Sequence, residues 1–256
     1  MLKIGKINYL NVFPLYRNLE NNLLVQGEPS YLNKLLNKGK IDISPSSSFE
    51  YLNNHENYLI INDLSISGKR KVLSVNFISA VPIEELTNET VYLSPASFTS
   101  NILIKIILLH FYKKKCNFKM LDNNMFSPDI NQILIGDSAL DVYFNRKQDC
   151  CHIYDLAELW YNFTNLPFVF ALWLVNRNSI KEKEKLIQQA VSVIQTNKTN
   201  CFIPKKYKNF TESQIKEYFS YIDYNLSDNH LQSLKLFAEL CYEYKFTKDK
   251  AEFKFL

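Results

Sequence analysis

Glycine is scarce in this chain, five in 256 residues, and none falls in a GxGxxG or P-loop pattern. Loops that cradle phosphates on backbone N–H groups need such glycines, so nucleotide cofactors held that way are excluded and no cofactor is expected. Histidine is sparse as well: His55, His110, His152 and His230 are isolated from one another and from any serine or cysteine nucleophile motif. Cys116, Cys150, Cys151, Cys201 and Cys241 are odd in number and show neither CxxC nor Cys/His ligand spacing. Free thiols in a reducing compartment, with no metal, are the expectation. The longest apolar run, Ile102 to Leu109, is interrupted by Lys105 and falls far short of the about 20 residues a membrane span needs. Met1 to Lys6 opens directly in a strand pattern with no apolar signal region or cleavage site, which points to the cytoplasm. Net charge is only +4, and the one tight basic cluster, Lys113-Lys114-Lys115, reads as a solvated helix end. Neither nucleic acid nor membrane is therefore expected as a partner; oligomeric state is left open.

Hydrophobic residues at 46% with 14% aromatics are ample for a packed core. The first third follows βαβαβ grammar. A strand over Lys3 to Ile7 and a turn at Asn8 to Asn11 precede a helix entered at Pro14. A strand at Val25 to Gly27, a helix from Pro29 with Leu32, Leu35 and Leu36 on one face, and a strand at Lys40 to Ile43 follow. Such alternation predicts parallel strands with helices on the faces. Tyr58 to Ile61 and Val72 to Ile78 read as two longer strands separated by Asp63 to Gly68. A second α/β unit then has a strand at 90–93, a helix at 101–112, a strand at 117–121 and a strand at Ile133 to Ile135. Tyr154 to Trp160 reads as helix, and Phe168 to Val175 as a strand buried on both faces. The remainder is helical: Ser179 with Glu182, and Thr211 with Gln214, read as capping boxes. Two α/β units joined by long strands predict an α/β protein of two lobes around a cleft, with residues 1–80 and 171–256 in one lobe and 81–170 in the other.

Sites in such sheets lie beyond the carboxyl ends of strands. Two turns there share one grammar: Ser46-Ser47-Ser48 before Phe49, and Ser97-Phe98-Thr99-Ser100 before a strongly apolar helix. Hydroxyls and free N–H groups at an electropositive helix start make an anion seat. Two facing seats would suit a small molecule with two carboxylates. The same residues are equally ordinary helix caps, and spacing does not separate the readings. Gly136-Asp137 ends a third strand; Asp137 is either an ionisable site group or a cap.

The motifs resemble those of the menaquinone-biosynthesis chorismate dehydratases of the futalosine route. The resemblance runs from Lys6-Ile7-Asn8-Tyr9-Leu10-Asn11 and Ile41-Asp42-Ile43-Ser44-Pro45 with Glu50-Tyr51, through Asp63 to Ser67 and Ser97 to Ser100. It continues at Leu134 to Leu140, Tyr154-Asp155-Leu156 with Glu158-Leu159-Trp160, and Leu166 to Trp173. Phe163 and Asn165 stand where the family usually shows Trp and Gly, a difference bearing on the cleft wall or hinge. The resemblance implies a two-lobed periplasmic-binding-protein-like (type II) fold with a cleft between lobes and a helical C-terminal segment. It implies a hydro-lyase that removes water from chorismate to give 3-[(1-carboxyvinyl)oxy]benzoate. The related dihydroxynaphthoate synthase carries a Ser-Pro-Cys-Pro-Asn-Asp type motif and a catalytic histidine that have no counterpart here. A non-catalytic carboxylate-binding protein of the same fold is the other alternative.

The implied reaction removes a ring proton beside the enolpyruvyl ether and the neighbouring hydroxyl, driven by aromatisation. Positioning with a weak base suffices for such a step. Asn11 would orient the ring or assist proton transfer, with a substrate carboxylate taking the proton. Ser46, Ser47, Ser48, Ser97, Thr99, Ser100, Gly136 and Asp137 are the expected substrate-binding positions.

Overall fold

A computed structural model describes residues 1–123, 125–145 and 152–256. Cys150 and Cys151 lie outside the described residues. In chain order the regular elements are β1 (Ile4–Lys6), β2 (Leu24–Gln26), α1 (Pro29–Asn37), β3 (Ile43–Ser47), α2 (Ser48–Asn54), β4 (Tyr58–Gly68) and β5 (Val75–Ser79). Then come β6 (Thr90–Leu93), α3 (Phe98–Ile106), β7 (Asn117–Met120), β8 (Asn131–Ile135), α4 (Asp137–Asn145), β9 (His152–Asp155) and α5 (Leu156–Thr164). The chain closes with β10 (Phe168–Asn176), α6 (Arg177–Thr199), α7 (Glu212–Tyr221), β11 (Ile222–Asp223) and α8 (Asp228–Glu243).

The strands form two mixed sheets, ordered β11-β4-β10-β3-β1-β2 and β7-β6-β8-β5-β9. β1 runs parallel to both β2 and β3, as the βαβαβ pattern predicts, and β10 runs antiparallel between β3 and β4. Leu172 to Val175 of β10 are fully buried, which is what a central strand covered on both faces requires. The Ser44 side chain of β3 packs directly over β1: a Cβ on Gly5 would lie 2.4 Å from Ser44 Oγ and 2.9 Å from its Cβ, which favours glycine there. The chain changes sheet between Gly68 and Val75 and returns between Asp155 and Phe168. Asp155 clasps the two crossings. Its carboxylate accepts N–H bonds from Val72 and Leu73 at 2.8 and 2.7 Å, and from Ala157 and Glu158 at the start of α5. Burial pushes that carboxyl up to about 6 against the pull of the four donors.

Several local expectations are corrected. Tyr58 to Gly68 is one strand, because Asp63 at φ 51° bulges out opposite the register shift between Leu172 and Leu174 and absorbs the polar pair Asn62-Asp63. Leu10 to Tyr16 is a 3-10 helix with Pro14 inside it, pinned where the Tyr16 hydroxyl accepts from Ile7 N–H and donates to the Gly5 carbonyl. Tyr154 and Asp155 end a strand rather than begin a helix, since Asp155 caps α5. The capping box at Ser179 does not form: Asn176 caps α6, and Ser179 donates to the buried Asp42 carboxylate at 2.6 Å. The box at Thr211 and Gln214 forms as read. Phe163 stacks on Phe111 at 4.6 Å, and Asn165 holds the left-handed C-cap (φ 57°) that a glycine would also supply. Neither residue lines the cleft.

Candidate functional site

The cleft between the sheets is walled by strand ends and helix starts. The first sheet's side contributes Tyr9 to Val12, Ser30 and Asn33 of α1, Pro45 to Ser47 of β3, and Phe170 and Ala171 of β10. The second side contributes Pro95 to Phe98 with Ser100, and Ile135 to Asp137. The cavity is ≈ 100 Å³, well above the roughly 10–15 Å³ a single water needs. Among its described lining residues none is Lys, Arg or His, and Asp137 is the one carboxylate.

The serines of the first turn divide by register. β3 ends at Ser47, so Ser46 still belongs to the strand and its Oγ is buried at the cleft wall without a partner. Ser47 caps α2 by accepting from Glu50 N–H at 3.3 Å. Ser48 has turned away into the first helical turn and donates to the Val169 carbonyl at 2.6 Å; it does not line the cleft. In the second turn Ser97 caps α3, accepting from Ser100 N–H at 3.3 Å and lying 3.2 Å from Ser100 Oγ, and both line the cleft. Thr99 is buried outside the lining, and its Oγ1 accepts from Phe49 N–H at 2.9 Å. The two turns therefore touch directly, with a hydroxyl of one occupying an N–H of the other.

Asn11 sits in the 3-10 helix, its carbonyl held by the Tyr224 hydroxyl at 2.6 Å, while its side-chain Oδ1 is buried without a partner. Gly136 takes φ 68° to turn β8 into α4. Asp137 in the first turn of α4 accepts from the Tyr207 hydroxyl at 3.2 Å and is paired with Lys208. Burial, then the neighbouring Glu28 and Asp137 charges, raise the Tyr9 phenol to about 12, so it remains a donor at neutral pH.

Three groups escaped the sequence reading. Asn33 is 5% exposed and its Oδ1 is also an unpartnered buried atom of the cleft. Its signal was present: with Leu32 and Leu36 it occupies the buried face of α1, where a polar residue is out of place. Tyr207 and Lys208 come from the segment between α6 and α7, and no local pattern links them to Asp137. Tyr218 of α7 reaches the cleft and donates to Ser74 Oγ at 3.0 Å. Among the described residues no group of three or more His, Cys, Asp or Glu is placed to hold a metal ion. No helix among them is long and apolar enough to cross a membrane.

A family model described as menaquinone biosynthesis matches residues 2–243. A chorismate dehydratase of Campylobacter jejuni is 28% identical over 253 residues, covering 93% of this chain and 96% of that protein. Another of Thermus thermophilus is 28% identical over 197 residues, covering 69% and 70%. Among solved structures, the periplasmic aliphatic sulphonate binding protein SsuA of Escherichia coli superposes with a TM-score of 0.63 at 14% identity, over 98% of this chain and 94% of that one. A Candida albicans gene product with the generic periplasmic binding protein fold gives 0.58 at 11% identity, over 100% and 98%. At these identities the likeness is one of fold, and this chain has the periplasmic-binding-protein-like α/β fold with a helical C-terminal segment.

Proposed function

The chain belongs to the menaquinone biosynthesis family, and on that premise we propose that it is a cytoplasmic chorismate dehydratase, a hydro-lyase giving 3-[(1-carboxyvinyl)oxy]benzoate. The observation that carries the reading is a small set of uncharged polar groups set into the wall of a mainly apolar cleft. Ser46 Oγ is buried in it without a partner, a cost that donating to a ligand carboxylate would offset, and Asn11 lines the same wall.

The elimination breaks the C–H bond at the ring carbon bearing the enolpyruvyl ether and the adjacent C–O bond. The C–H electron pair becomes the new ring double bond, and the proton and hydroxide leave as water. Aromatisation drives the step, so the protein's contribution is orientation rather than a strong acid or base. The hydroxyls of Ser46, Ser47, Ser97 and Ser100, with the N–H groups at the α3 start, hold the two carboxylates. Asn11 orients the ring carbon that loses its proton, and a carboxylate of the substrate itself receives it. Asp137, paired with Lys208 and hydrogen-bonded by Tyr207, serves as a wall of the cleft rather than as the base. Ser48 and Thr99 support the two turns from behind.

Purified protein incubated with chorismate is expected to form an aromatic product lighter by one water, detected by absorbance and mass. Binding of chorismate with no conversion would make it a carboxylate-binding protein instead.

A further inference from the structure

The dehydration mechanism above gives Asn33 nothing to do, yet this side chain is built into the cleft. It lies on the buried face of α1 beside Leu32 and Leu36, where leucine would pack without cost. Its Oδ1 is buried and unpartnered. We propose that Asn33 accepts a hydrogen bond from the ring hydroxyl of the substrate and thereby makes the cleft prefer the hydroxylated substrate to its aromatic product. This rests on the chorismate reading.

The chemistry of the acceptor narrows the choice. A carboxylate has no proton to offer an amide oxygen, and neither does an enol ether. The one donor on chorismate is the ring hydroxyl, the group that departs as water. Position selects Asn33 over Asn11 for it. Asn33 lies where the cleft meets an adjoining groove of ≈ 420 Å³, and the two cavities share Ser30, Asn33, Pro95 and Phe98. Lys34, Asn37, Glu50 and Asn54 line that groove further out. A hydroxyl held at Asn33 thus lies where the cleft opens into that groove. Asn11 lines the cleft but not the groove and is left to the C–H side of the ring.

The product keeps both carboxylates and the ether and, with the ring made aromatic by loss of one hydrogen, no longer carries the hydroxyl, so substrate and product separate the two roles. The experiment compares Asn33→Leu and Asn33→Ala with wild type in chorismate turnover and in competitive inhibition by the product. Losing one hydrogen bond to a buried acceptor predicts about a tenfold drop in kcat/KM for chorismate, with the product inhibition constant within about twofold of wild type. Asn33→Leu should also raise the melting temperature, since it removes an unpaired polar group from an apolar face. That variant keeps the test open should Asn33→Ala fold poorly. Equal weakening of substrate and product would mean that the amide holds a carboxylate, and would overturn the assignment. Unchanged kcat/KM in a folded variant would overturn it too, while leaving the dehydratase reading standing. Wild-type protein that fails to convert chorismate would remove that reading, and the assignment with it.

Discussion

Ser46 and Ser48 are two residues apart in a run of three, and their surroundings assign them opposite work. Ser46 Oγ has no protein partner, whereas Ser48 Oγ is spent on the Val169 carbonyl. Ser46→Ala should therefore leave the melting temperature nearly unchanged but weaken chorismate binding about tenfold, the loss of one hydrogen bond to a charged ligand group. Ser48→Ala should do the reverse, costing about 1 kcal/mol of stability with affinity intact. Calorimetric affinity beside thermal melts of both variants checks this. If both lose stability and neither loses affinity, Ser46 is structural. The sequence offered these serines as one motif because a strand-to-helix switch is legible from Pro45, Phe49 and Glu50. Which hydroxyl faces the ligand depends on the residue at which β3 yields to α2. Asn33 was legible only as a misfit on an apolar helix face.

At the scale of elements, the start of α8 holds a buried titrating group. α8 begins with a box in which Ser227 N–H donates to His230 Nδ1 and Ser227 Oγ lies 2.8 Å from it. Burial lowers the His230 pKa from its usual value, partly opposed by the Asp223 and Asp63 carboxylates. With the folded-state pKa depressed, the folded chain binds fewer protons than the unfolded one once pH falls below the ordinary histidine range. Stability from this site is intact above about pH 6.5 and is lost as pH drops through the lowered value. Urea midpoints measured between about pH 7.5 and pH 5 should fall more steeply for wild type than for His230→Gln. Parallel slopes would remove His230 from the acid response. Two of the boundaries that the sequence misplaced share one cause, a side chain with a remote partner. Ser179 turns from capping α6 to the Asp42 carboxylate, and Asp155 caps α5 while also gathering Val72 and Leu73.

Across the whole molecule the two sheets are coupled at the floor and the rim of the cleft. Thr99 of the second unit caps an N–H of α2 in the first, and Tyr207 bridges Asn8 and Asp137, which belong to different sides. Thr99→Ala should release the Phe49 amide, raising its hydrogen-exchange rate about tenfold while the chain stays folded. An unchanged Phe49 rate would show that the coupling lies elsewhere, at Asp137 or the crossings. This contact also revises the picture of two facing anion seats: part of the polar capacity of each turn is used in holding the other.

The sequence by itself determined the α/β class, the parallel β1–β3 start, the buried central strand β10 and the family, because period, capping residues and ordered motifs are local properties of the chain. It also located the turns from which the cleft is made, since strand ends followed by serines are written in consecutive residues. What only the tertiary structure decided is which of those polar groups remain unpaired. Ser48 and Thr99 find partners 121 and 50 residues away, and Asp137 finds Lys208 across 71. Asn11 Oδ1, Asn33 Oδ1 and Ser46 Oγ find none. A hydrogen bond is satisfied or left open by distance in space, and no spacing along the chain records it.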